Sequence, residues 1–174
     1  MQVPLVMTVI GKDRIGLVES VAWLVADHGG NWLESRMCRL GGQFAGILRV
    51  HVPADRRAAL EQALGKLDGL TIVVRPNESN RSEEKAQFAS LEVVGHDRPG
   101  IVREVAHALA AQGVNVEELA TECVSAPMTG EPLFQACAKL LLPAGVTVTA
   151  LRQSVKKAVP GLTVEVTPVG LTDK

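Results

Sequence analysis

Apolar and polar positions along this chain follow two rhythms, one of period two and one near 3.6. Leu5 to Ile10 is a short apolar, β-rich run and predicts a strand. Val18, Val21, Ala22 and Val25 then recur at helical spacing, a strip along one helix face. His28, Gly29, Gly30 and Asn31 end that helix, because Gly and Asn tolerate the left-handed backbone of a helix terminus. Trp32 to Leu40 and Phe44 to Val52 read as strands joined by a Gly41-Gly42 hairpin turn. Pro53 to Arg56 opens a second helix, with Ala59, Leu60, Ala63, Leu64 and Leu67 on its apolar face, and Leu70 to Arg75 is a fourth strand.

The second half repeats that order. Leu91 to Val94 is a strand, and Val102, Val105, Ala106 and Leu109 mark a helix. Val116 to Val124 and Leu133 to Leu142 are strands, and Val148, Leu151, Val155 and Val159 lie along another helix. Leu162, Val164 and Val166 alternate with Thr163, Glu165 and Thr167, the pattern of a strand with one wet face. The order β-α-β-β-α-β, twice, predicts an α+β class with two ferredoxin-like domains, each an antiparallel sheet with its helices on one face. The second sheet face and the edges then call for cover, by pairing of the two copies or by dimerisation.

The repeat is visible residue by residue. Gly11-Lys12-Asp13-Arg14-Ile15-Gly16-Leu17-Val18 aligns with Gly95-His96-Asp97-Arg98-Pro99-Gly100-Ile101-Val102. In the same register Val21, Ala22, Ala26, Gly29, Asn31 and Glu34 match Val105, Ala106, Ala110, Gly113, Asn115 and Glu118. Residues 77–86, polar and charged, cannot bury themselves and read as a linker between domains 1–76 and 87–174.

Composition narrows the function. The formal net charge is −1 and the Lys and Arg residues are scattered among acids. Phosphate contacts need a basic stripe, so direct nucleic-acid binding is disfavoured. The absence of tyrosine also disfavours base stacking. Cys38, Cys123 and Cys137 are odd in number and form no C-x-x-C pair, which argues for reduced thiols packed in strands and against a zinc site. Cys123 and Cys137 can face each other across a hairpin centred near Thr129. No signal peptide and no membrane-length apolar run is present, so a cytoplasmic chain is expected.

Candidate chemistry concentrates in the loop between first strand and first helix. Pro99 suits a first helical turn, which leaves Arg98 just outside. Gly100 and Gly16 would let a ligand or another backbone come close. Free N–H groups at the helix start attract a carboxylate, and Asp97 or Asp13 beside them can accept from an ammonium. Asn115 and Asn31 offer amides after the helix. Together these groups complement a zwitterion such as a free amino acid. Each has a plain alternative, since Asp is often a helix cap and Asn a turn residue. No nucleophile motif or phosphate loop is present, and the dispersed histidines include His96 beside Asp97 as a weak acid/base or metal pair. No catalytic residue, metal or cofactor is expected.

The element order, the loop at Gly95–Gly100 and Gly113-Val114-Asn115-Val116 together resemble the ACT domain, a regulatory amino-acid-binding module. Two such copies and little else resemble the glycine cleavage system transcriptional repressor family, as does the stretch from Ser125 to Phe134 followed by Leu142-Pro143-Ala144. The resemblance implies a ligand held where two domains meet, between the first loop of one and the sheet edge of another. It implies as binding residues Asp97, Arg98, Pro99, Gly100 and Asn115, and Asp13, Arg14, Ile15, Gly16 and Asn31. It also implies glycine or a similar small amino acid as the signal, and repression through a LysR-type transcriptional activator without direct DNA contact. A homodimer is expected. The first copy departs from the pattern, with Ile15 in place of Pro99 and Trp32 in place of Val116, which can fill or reshape a pocket. The Ser125–Pro132 loop, longer than the Gly41-Gly42 turn, is either a lid or partner contact or a neutral insertion. Two other readings remain: a structural interaction module with no small ligand, and an acylphosphatase-like hydrolase using Arg98 and Asn115. In the latter, Asp97 would repel an anionic substrate.

Overall fold

A computed structural model describes residues 1–77, 87–126 and 130–170. The chain divides into two compact units, Met1–Arg81 and Ser82–Lys174. Most of the expected linker, and the centre of the expected long loop at 127–129, lie outside the described residues.

The first unit contains β1 (Gln2–Lys12), α1 (Leu17–Asp27), β2 (Asn31–Leu40), β3 (Gln43–Pro53), α2 (Arg57–Leu64) and β4 (Leu70–Pro76). The second contains β5 (Gln87–His96), α3 (Ile101–Ala110), β6 (Asn115–Ser125), β7 (Pro132–Leu142), α4 (Val148–Ala158) and β8 (Thr163–Val169). The sheet orders are β2-β3-β1-β4 and β6-β7-β5-β8, with every pairing antiparallel. These are the two ferredoxin-like units that the hydrophobic pattern predicts.

Period-two alternation builds each core. In β1 the alternate residues Leu5, Met7 and Val9 are buried, as are Leu48, Val50 and Val52 in β3. Against them pack Val21 and Val25 of α1 and Leu60 and Leu64 of α2. The second core joins Leu91, Val93, Leu140, Leu151 and Val155 in the same way. Each such side chain contributes about 1.5–3 kcal/mol by leaving water. Leu40 pairs with Gln43 across Gly41 and Gly42, whose φ angles are 57° and 79°. Two left-handed residues match the twist of the flanking strands, which is why two glycines close this hairpin.

Some expected details shift. Val18 and Val102 are exposed, and the buried first-turn residues are Leu17 and Ile101 instead. Helix α2 begins at Arg57, after a turn at Pro53–Arg56, and ends before Leu67. Cys123 lies opposite Phe134 and Cys137 opposite Ala120, so these cysteines do not face each other across the hairpin. All three cysteines are free and exposed as residues on their strands, although neighbours partly desolvate the Cys123 sulfur. The edge strands β2 and β6 carry a register shift at the same place, between Trp32 and Glu34 and between Val116 and Glu118. The duplication has therefore kept a bulge as well as a fold.

Candidate functional site

The two loops are built alike. Each follows a long central strand and ends on a glycine that starts the helix, Gly16 at φ 87° and Gly100 at φ 95°. That left-handed conformation is what requires glycine here. A Cβ at Gly100 would meet nothing in the chain nearer than Glu104 Oε1, at 3.6 Å, so no other backbone of the unit crowds this glycine. Pro99 sits before this glycine, outside the helix, whereas the sequence suggests it in the first turn.

Neither aspartate caps its helix; both helix starts lack a side-chain cap bond. Asp13 Oδ2 lies 2.5 Å from Arg39 Nε, at the far end of β2. Asp97 accepts a hydrogen bond from the thiol of Cys123, which burial first and Asp97 second hold above the ordinary thiol range. In the repeat register Cys123 occupies the place of Arg39. One loop carboxylate is thus neutralised by a guanidinium and the other meets a neutral thiol. Asp13 already faces a cation, whereas the side chain beside Asp97 is a thiol.

The loop arginines also differ. Arg14 Nη2 donates to the backbone oxygen of Asp68 at 3.1 Å. Arg98 forms a two-pronged pair with Glu104, Nη2 to Oε2 at 2.5 Å and Nη1 to Oε1 at 3.0 Å. The hydrogen bond from Arg98 holds the Glu104 carboxyl below its usual range. Ile15 is fully exposed.

The asparagines are elsewhere. Asn31 lies opposite His51, which pairs with Pro4 at the start of β1. Asn115 lies opposite Leu141, which pairs with Phe88 at the start of β5. The loops follow the other ends of these strands. At about 3.3 Å per residue, the separation along the sheet is on the order of 25–30 Å. One domain therefore cannot bring its loop and its asparagine onto one small molecule. The same distance keeps Arg98 and Asn115 from sharing a phosphate, as an acylphosphatase-like site would need. Asn115 instead donates to the Glu117 carboxylate.

His96 Nδ1 lies 3.6 Å from Glu131 Oε2, away from the Asp97–Cys123 pair, so the two neighbours do not act together. Among the described residues no three His, Cys, Asp or Glu side chains group to hold a metal. None of the helices built from described residues is long and apolar enough to cross a membrane.

The sequence reading missed Arg39, Glu104 and Cys123, and it missed a groove. An apolar cavity of 40 Å³ opens between α3 and edge strand β6, lined by Val102, Leu109, Val116, Leu119 and Thr121 over a floor that includes Ala138. A signal existed: aligning the copies pairs Arg39 with Cys123 and Met37 with Thr121, residues unlike in charge and size.

The family model for the ACT domain matches residues 3–74. Among solved structures, an unknown protein from Galdieria sulphuraria is 32% identical, with 98% of this chain and 100% of that chain covered and a TM-score of 0.82. A structure described as a "putative glycine cleavage system transcriptional repressor" is 17% identical, with 97% and 98% covered and a TM-score of 0.68, and shares the fold. No curated protein matches the chain.

Proposed function

We propose, from the premise that this chain belongs to the ACT-domain family, that it is a regulatory protein which senses a small amino acid and passes the signal to a protein partner. One observation carries this reading. Each unit carries the groups that would complement a zwitterion, a carboxylate-bearing loop and an edge-strand amide, at opposite ends of its sheet. Antiparallel pairing of β6 with β6 of a second copy would bring the Asn115 end of one strand beside the Cys123 end of the other. Asp97 is at that end. A ligand needing both halves then favours the paired state by its own binding free energy, which is how a small molecule shifts a population.

The finer reading is a cytoplasmic repressor of glycine cleavage genes that acts on a LysR-type activator and does not touch DNA. It is supported by the sequence resemblance, by the full-length likeness in fold to the structure so described, and by a net charge of −1. The binding residues proposed are Asp97, Arg98, Pro99, Gly100 and Asn115, with their counterparts in the first unit as a second set. Asp97 leads them because its partner is a neutral thiol.

Calorimetric titration with glycine, serine and a panel of amino acids tests this, alongside sedimentation and an activator-binding assay. Saturable binding that Asn115→Ala weakens, with more dimer on adding ligand, is the expected result. No heat from any amino acid in folded protein would leave an interaction module without a small ligand. That second reading is favoured by the carboxylate of Asp13 and the guanidinium of Arg98 being already paired.

A further inference from the structure

We infer that the groove between α3 and β6 receives the aliphatic or thioether side chain of a free amino acid, so that the signal is larger and more apolar than glycine. This rests on the amino-acid-sensing reading above and specifies its ligand. The first unit shows what the groove lacks. Met37 lies opposite Gly46 in β3, so close that a Cβ on Gly46 would sit 2.5 Å from Met37 Cγ. In the second unit the pair at the same register is Thr121 opposite Ala136. Two residues along, Leu48 of the first unit is replaced by Ala138. Trp32, which packs on the first core, is replaced by Val116.

The second unit thus has a trough between α3 and β6, over Ala138 where the first unit has Leu48. Val102 is 46% exposed and Leu119 is 53% exposed, although both side chains border the helix-covered side of the sheet. Among the groove residues, Thr121 brings a side-chain polar atom; the other side chains, the ring of Phe134 included, are hydrocarbon. A cavity of 40 Å³ is about a quarter of the size that holds benzene, so its deep part takes a few carbon atoms and its open mouth takes the remainder. At the register of Thr121 the first unit carries an unbranched thioether chain, Met37, packed against Gly46. Ala138, in the place of Leu48, leaves room for a free ligand of the same chemistry.

The head group has a place as well. Thr121 and Cys123 point to the same side of β6, about 7 Å apart along the strand. Cys123 donates to Asp97, so an ammonium at Asp97 would leave the side chain directed along the groove toward Thr121. Glycine has nothing to put there.

The test compares L-leucine, L-methionine and glycine by calorimetry on the full chain and on two variants, Thr121→Met and Ala138→Leu. Both variants install the first unit's own residue, and circular dichroism checks that each folds. The expected result is that leucine or methionine binds about tenfold or more tightly than glycine, since a few buried carbons are worth that much. Each variant should lower that affinity about tenfold or more. Glycine binding as tightly as both larger amino acids, or leucine and methionine affinities unchanged in both variants, overturns the groove assignment and leaves the sensor reading standing. No binding by any amino acid overturns both.

Discussion

Gly11→Ala provides a stringent test of the packing described above, because its obstacle is backbone. A Cβ at Gly11 would lie 2.1 Å from the carbonyl oxygen of Gly69 and 2.8 Å from Leu70 Cδ2. Relief requires β1 and the start of β4 to separate by about 1 Å, and forced repacking of that kind costs about 3 kcal/mol. Alanine's smaller unfolded-state entropy returns about 0.5 kcal/mol. The net loss of about 2.5 kcal/mol lowers the melting temperature of a unit this small by roughly 10–20 °C. The repeat supplies an internal control at Gly95. There the added Cβ would meet Leu162 Cδ2 at 2.4 Å, with Leu162 Cα next at 3.3 Å. A terminal methyl can swing aside, so Gly95→Ala should cost nearer 1 kcal/mol. Both tryptophans, Trp23 and Trp32, belong to the first unit. Fluorescence in a urea titration therefore reads the first unit alone, and far-ultraviolet circular dichroism reads both. A Gly11→Ala protein within about 0.5 kcal/mol of the parent, or one less damaged than Gly95→Ala, would refute the reasoning.

Two further outcomes follow from the second loop. Glu104 titrates below its ordinary range because Arg98 bonds to its charged form; its folded pKa is depressed, so the stability it adds is present above the unfolded value and is lost as pH falls through the folded one. Carboxyl chemical shifts across an acid titration should show this, and Arg98→Ala should move Glu104 upward; an unmoved midpoint counts against the pair. Cys123 should react slowly with iodoacetamide at neutral pH, because burial and then Asp97 disfavour its thiolate, and Asp97→Asn should quicken it. Peptide mapping by mass spectrometry reads the site, and an unchanged rate at Cys123 argues against the thiol–carboxylate contact.

The fold was legible in the sequence wherever one rhythm held for a full element. Leu5, Met7 and Val9 alternate cleanly, and β1 is a strand with those residues inward. The repeat then let one unit check the other. Phase was harder to read at helix starts. Val18 and Val102 fit the apolar spacing as well as Leu17 and Ile101 do, and only tertiary packing selects the latter. Similarly, Ala59 and Leu67 match a helix face in α2, but Ala59 is exposed and the helix stops at Leu64, short of Leu67. The candidate site was legible as a set of residues and not as a place. Asp97 and Asn115 stand 18 positions apart along the chain, yet a helix running back along the sheet carries them to opposite ends. Long-range pairs such as Asp13 with Arg39 depend on hairpin register, which a periodicity does not report.

The bulge shared by β2 and β6 bears on what these exposed edges do in a concentrated cell. A straight edge strand is a template on which any extended chain can add, and then another, toward fibrils. An extra residue at Leu33 and at Glu117 breaks the ladder near the start of each strand. Only a partner kinked to match can zip along the full length, so indiscriminate polymerisation is disfavoured while one well-fitting neighbour is still admitted. The duplication therefore transmitted, along with the fold, a guard against amyloid-like stacking.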